Sequence, residues 1–207
     1  ETLGLKPLLA GNIKGLQDRY RNPTTQAAFA KQWGQTPSMV TSFADGTKIS
    51  MEQAIVANAT GMKVAQRGMI GHEFRGHVDQ MTGMYDLDMM RSLGGIVEYV
   101  VGGLPSPGVY VFAEAQDRLQ AHYLNYGKLG EGPVYSFYVP WHLTALEVHI
   151  SAARVALFGD IVIETRGPTS VEVITMAKID SKAGETLDGL GHYMTYGQCE
   201  NHETAKA

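Results

Sequence analysis

The sequence predicts an α+β fold: a mixed or antiparallel sheet with helices packed on one face, followed by a partial β-rich module. Three observations carry this expectation. Helix punctuation is concentrated between Asn22 and Gly61 and returns after Pro140. The runs Ile96–Val101, 109–113 and Val134–Val139 have the β-branched and aromatic content of strands and are separated by Gly/Pro turns. From Ser170 onwards the pattern becomes short strands and turns, which places a boundary near Gly167-Pro168 and divides the chain into 1–168 and 169–207.

Taken in order, Lys6-Pro7-Leu8-Leu9-Ala10 is a short apolar run leading into a polar loop, Gly11-Asn12-Ile13-Lys14-Gly15. Asn22 then reads as an N-cap with Pro23 at the first helical position, and Gly34 closes that helix. A second helix is expected from Ser50, with Gln53 completing a capping box, to about Gly61. The segment 142–158 carries Leu143, Leu146, Ile150, Ala153 and Leu157 at the spacing of a packed helix. Val171–Ala177 reads as a strand, and Lys182-Ala183-Gly184-Glu185 and Asp188-Gly189-Leu190-Gly191 read as turns. The chain opens without methionine and closes on the polar run after Glu200, as a fragment of a longer polypeptide would.

Composition narrows the function classes. The 207 residues are 44% hydrophobic and 18% charged, with 17 basic against 21 acidic side chains. A net charge of −4 advertises no polyanion-binding surface, so nucleic acid is not expected as a partner. No apolar run approaches the ~18 residues of a membrane span, and neither a membrane partner nor a signal peptide is expected. The single cysteine, Cys199, rules out an internal disulfide and fits a reducing, cytoplasmic setting.

Two glycine-flanked lysines stand out. Lys14 precedes Gly15 and is followed by Asp18 and Arg19, while Lys48 ends Asp45-Gly46-Thr47-Lys48. Each combines a point positive charge with glycine backbone that can approach a carbonyl or phosphate group closely. Glu52, one helical turn after Lys48, can face the same cleft. The plainer readings are solvated loop lysines, a helix N-terminal charge for Glu52, and a core hydrogen bond for Asn58.

The seven histidines lack metal spacing: there is no His-Glu-x-x-His and no cysteine pair, so no metal site is expected. His142, after Pro140-Trp141, sits where a strand end meets a helix start, a common place for a cleft residue, although a capping or packed role is the better account of it. No Gly-x-Ser-x-Gly elbow exists, and Gly189-Leu190-Gly191 lacks the third glycine of a dinucleotide fingerprint. No motif binds a dinucleotide unaided.

These residues add up to a resemblance. Gly11 to Gly15, Tyr20-Arg21-Asn22-Pro23-Thr24-Thr25, Thr41 to Lys48, Glu52 to Gly61, Gly94-Gly95-Ile96-Val97 and Tyr193 to Glu200 together resemble the homoserine-dehydrogenase-like oxidoreductases that include the second type of deoxyxylulose-phosphate reductoisomerase. In that family a Rossmann domain precedes this substrate domain and a small β-rich SAF domain follows it. The resemblance implies NADPH- or NADH-dependent reduction of a small, possibly phosphorylated, carbonyl substrate in isoprenoid precursor synthesis, with the cofactor held mainly by a domain absent from this chain. It assigns Lys48, Asp45 and Lys14 as catalytic and Asn12, Arg19, Thr47, Glu52 and Asn58 as substrate-binding. Lys48 is favoured as the group that stabilises transition-state charge, and Lys14 as the holder of a substrate anion. A homodimer through the strand region 94–113 and the aromatic strand of Tyr135, Phe137 and Tyr138 is a further expectation. The alternative function is a non-catalytic sugar- or polyol-binding module whose tail serves assembly. Convergence of Lys14, Lys48 and Asp45 on one cleft would favour the enzyme.

Overall fold

A computed structural model describes residues 3–142, 144–165 and 167–206. Its centre is a five-stranded mixed sheet in the order β2-β3-β1-β4-β5. The strands are β1 (Lys6–Lys14), β2 (His72–Glu73), β3 (Ile96–Val101), β4 (Gly108–Glu114) and β5 (Val134–Val139). The middle strand β1 runs parallel to β3, with Asn12 opposite Tyr99, and antiparallel to β4, with Asn12 opposite Val109. The segment Gly11 to Lys14, expected as a loop, is therefore the second half of the central strand. Period-two alternation then decides its chemistry: Leu9 and Ile13 face one side, and Ala10, Asn12 and Lys14 face the other.

The helices follow their capping chemistry. In α1 (Pro23–Gln32) the Asn22 side chain accepts from Thr24 N and Thr25 N, and Gly34 turns the chain at φ +64°. A helix not anticipated, α2 (Pro37–Ala44), uses the same signals, Thr36 as cap and Pro37 at the first position. Helix α3 (Thr47–Thr60) starts three residues before the expected Ser50. Gly46 at φ +102° makes the entry turn, and the Asp45 carboxylate accepts from Thr47 N at 2.9 Å. Ser50 and Gln53 are buried inside α3, so they form no capping box.

The expected helical layer is α3, which packs Ile49, Ala54 and Ala57 against Val97 on one face of the sheet. The opposite face has a smaller cover, which the sequence reading did not include. A 3-10 turn (Val78–Met81) and the short α4 (Leu87–Ser92) close over Leu9, Ile13, Ile96, Val100, Tyr110 and Phe112. A second, antiparallel sheet of β6 (Val171–Ala177) and β7 (Thr195–Asn201) lies on α3, and α7 (His202–Ala205) follows it.

One expectation is corrected. The segment 142–158 is a short 3-10 turn followed by α6 (Val148–Phe158), and α6 is not packed. It has no buried residue, and Leu157 and Phe158 are 73% and 78% exposed. Leu143, one of its anticipated apolar positions, lies outside the described residues. In the region expected to form a homodimer, β3 and β4 are paired within the sheet and Tyr135 is buried, while β5 is an edge strand whose Tyr138 is 44% exposed. Apart from these strands, α5 (Arg118–Tyr126) lies between β4 and β5 in the chain and lays its Asn125 side chain against the Tyr135 hydroxyl.

Candidate active site

A cavity of about 630 Å³ opens where the carboxyl end of β1 meets α2, α3 and the residues after β5. Its polar floor is Asn12 and Lys14 from β1, Lys48 and Glu52 from α3, and His142. Ile13, Phe29, Val40 and Phe43 supply apolar wall. Lys48 and Glu52, at i and i+4, form an ion pair at 3.3 Å, as helical geometry allows.

Proton positions in this cluster follow from one fixed acceptor. The Glu98 backbone carbonyl can only accept, so the buried Gln53 presents its Nε2 there, at 2.9 Å, and the same nitrogen donates to Asn12 Oδ1 at 3.2 Å. Asn12 must then turn Nδ2 outward, where it donates to Glu52 Oε2 at 3.0 Å. His142 Nε2 stands 3.0 Å from the same oxygen. An ionised carboxylate can only accept, so the contact with Glu52 makes His142 Nε2 a donor, and Asn12 Nδ2, 3.2 Å from that nitrogen, directs its hydrogen to Glu52 instead. Burial alone would raise the Glu52 carboxyl. The hydrogen bond and charge of His142 and the charge of Lys48 outweigh it, and hold the group below the usual carboxylate range.

The two lysines differ in environment. Lys48 is half exposed, 43% by side chain, with its ammonium 4.4 Å from the centre of the Phe43 ring. Lys14 is largely buried and donates to the Phe43 carbonyl at 2.8 Å. Desolvation pushes its amine down to about 8. The nearby carboxylates of Glu52 and Asp45 oppose that shift, and Lys48 reinforces it. An amine that titrates near neutrality in a cleft can give or take a proton at the reacting centre.

The remaining anticipated residues are placed elsewhere. Asp45 is buried with its Oδ2 against Lys178 Nζ at 2.8 Å, and its carboxylate is not part of this cluster. The Thr47 hydroxyl accepts from Gly197 N at 2.9 Å and so fastens β7 to α3. Asn58, eleven residues on and hence on the same helix face, fastens β6: its Oδ1 accepts from Ser170 N and Val171 N, and its Nδ2 donates to Val171 O. Arg19 stays at the surface, donating to the Tyr20 hydroxyl at 2.7 Å, and lines a separate cavity of about 200 Å³. In place of these, the structure adds His142 and Gln53 to the cluster. The strand-end position of His142 was the visible signal; Gln53 gave none, because its role depends on which face of α3 meets β1.

Among the described residues no group of three His, Cys, Asp or Glu side chains could hold a metal ion. No helix there is long and apolar enough to cross a membrane. Compared with protein-family models, residues 1–148 match the catalytic domain of the oxidoreductase DRL. No curated protein matches the chain.

Proposed function

The chain belongs to the DRL oxidoreductase family, whose catalytic domain occupies its residues 1–148, and from that premise we propose that its cleft reduces a small polar carbonyl compound with a nicotinamide dinucleotide as hydride donor. The observation that carries this reading is the pair of lysines in one cavity, one buried with a lowered pKa and one charged and half exposed.

The residues present suit one end of such a cofactor and not the other. The apolar wall of Ile13, Val40 and Phe43 beside Lys14 could face a nicotinamide ring. The starts of α1, α2 and α3 offer a pyrophosphate no cradle: the Asn22, Thr36 and Asp45 side chains already occupy their first turns. When bound, the reduced ring supplies hydride to the carbonyl carbon. The substrate oxygen, gaining negative charge as the C=O bond becomes single, takes a proton from Lys14 Nζ, and an alcohol results. Lys48 holds an anionic or strongly polar group of the substrate, such as a carboxylate or phosphate, and Glu52, braced by Asn12 and His142, orients the Lys48 ammonium. The burial of Lys14 thus favours it for the proton-donor role that the sequence pattern alone assigned to Lys48. A purely binding module gains nothing from a buried amine of lowered pKa.

The test is consumption of NADPH or NADH by the full-length enzyme with a panel of small aldehydes and ketones, with and without phosphate or carboxylate groups. Turnover of at least one is expected, with Lys14→Met reducing kcat by about a hundredfold, the usual loss for one preorganised donor. Turnover unchanged in Lys14→Met would remove the assignment.

A further inference from the structure

We propose that Lys178, at the end of β6 and outside the family-matched span, is a positioning residue for the Lys14 amine: it pins both ends of the α1–α2 helical hairpin whose last-turn carbonyl holds Lys14. The inference rests on the reading of Lys14 given above, but its geometry stands independently.

The α1–α2 hairpin leaves the body of the protein at Arg21 and returns at Asp45. Lys178 touches both points. Its Nζ donates to the Arg21 carbonyl at 2.7 Å and to the His192 carbonyl at 2.7 Å, and it forms an ion pair with Asp45 Oδ2 at 2.8 Å. Two carbonyls accept from the ammonium and the buried carboxylate balances its charge, and the Lys178 side chain is only 2% exposed. Two further contacts join the same hairpin to the β6–β7 connection. The Thr24 hydroxyl meets the Tyr193 hydroxyl at 2.8 Å. Gly191 lies so close to α2 that a Cβ there would be 2.9 Å from the Ser38 carbonyl.

The hairpin in turn sets the cleft. Phe43, two residues before Asp45, offers its carbonyl to Lys14 Nζ and its ring to Lys48 Nζ. Val40 and Phe29 on the same hairpin are part of the apolar wall. A hairpin free to tilt would withdraw the Phe43 carbonyl and admit water to Lys14. The desolvation that depresses the amine would then be relieved. The small C-terminal sheet therefore adjusts the acid of the site without touching it.

The test reads Lys14 directly. The full chain is prepared with ¹³C,¹⁵N-labelled lysine and otherwise unmodified, the Lys14 Hε–Cε resonance is assigned with Lys14→Arg, and its titration is followed by NMR without substrate or cofactor. Parent protein is compared with Lys178→Met and with Asp45→Asn/Lys178→Met, the double variant sparing a buried, unpaired carboxylate. The groups acting on Lys14 are Glu52, Asp45 and Lys48. Removing the Asp45 charge lowers the amine and removing the adjacent Lys178 charge raises it, so in the double variant the two charge changes oppose each other and a net rise of a full unit reports renewed hydration. The expected result in both variants is a rise of at least about one pH unit, a tenfold change in proton affinity. The basic limb of kcat should move in the same direction while KM changes less. A Lys14 titration unmoved in either cooperatively folded variant overturns the proposal. Failure to reduce any carbonyl compound, with the titration displaced as expected, overturns the proposed function alone.

Discussion

Lys14 and Lys48 carry the same formal charge at the same cleft, and their differing burial separates their roles. Lys14 loses its proton as pH rises through about 8. As the donor in carbonyl reduction it must be protonated, so kcat for reduction should fall about tenfold per unit above that pH, and the reverse oxidation should gain. Lys48→Ala should instead raise KM for an anionic substrate about tenfold, the loss of one charge-assisted contact, with kcat within a few-fold of the parent. Steady-state pH profiles of both variants and the parent decide this, and a collapse of kcat in Lys48→Ala would restore the opposite assignment. Residue type and spacing made Lys14, Lys48 and Glu52 legible as cleft candidates, because charge beside glycine and an i,i+4 pair are local signals, whereas Asn12 entered only through the family resemblance. Which lysine is buried was not legible. That depends on the Phe43 carbonyl, twenty-nine residues from Lys14 in the chain.

At the scale of elements, α3 joins the two halves of the molecule by its faces. Lys48 and Glu52 face the cleft, while Thr47 and Asn58 on another face hold β7 and β6. Asn58→Ala removes the acceptor for two backbone N–H groups and the donor to Val171 O. With each unsatisfied group costing about 1–3 kcal/mol, the loss of stability should total about 2–4 kcal/mol once water reaches part of the site. KM should stay unchanged, because Asn58 holds a strand and no part of the cleft. Urea unfolding beside a kinetic assay separates the two quantities, and a raised KM at unchanged stability would return Asn58 to substrate binding. Strands β3, β5 and β6 were legible almost to the residue, since β-branched runs between turns identify themselves. The second half of β1 was not, because Gly11, Asn12 and Lys14 resemble a loop until both neighbouring strands are in place. Gly11 lies where a Cβ would be 2.5 Å from the Tyr110 ring, so its glycine serves packing within a strand. The apolar spacing of α6 was read correctly as helix but wrongly as packed: periodicity shows that a face exists, not that something covers it.

Across the whole molecule, two buried ionisable groups give folding stability opposite dependences on pH. Glu98 lies in the interior with its carboxylate accepting from Ile70 N at 2.6 Å and Gly71 N at 2.9 Å, which closes the 68–71 turn onto β3. Desolvation raises it to about 7, and the hydrogen bonds from Gly71, Ile70 and Tyr99 only partly oppose that. A carboxyl raised in the folded state binds its proton more tightly there than in the unfolded chain. Its contribution is complete below about 4.5 and lost as pH rises through about 7. Lys14, lowered in the folded state, acts in the other window: the cost of burying its charge is present below about 8 and disappears as pH rises towards 10.5. Stability should therefore fall between about pH 4.5 and 7, on the order of 3 kcal/mol, and gain from Lys14 as pH rises above about 8, a gain that the buried Cys199 thiol, raised by desolvation to about 11, offsets above about 9. Glu98→Gln, which cannot ionise and still offers one acceptor oxygen, should flatten the acid limb and leave the alkaline limb intact; Lys14→Met should do the converse. Urea midpoints measured across pH for the three proteins test both slopes, and an acid limb that persists in Glu98→Gln would assign it to other carboxyls.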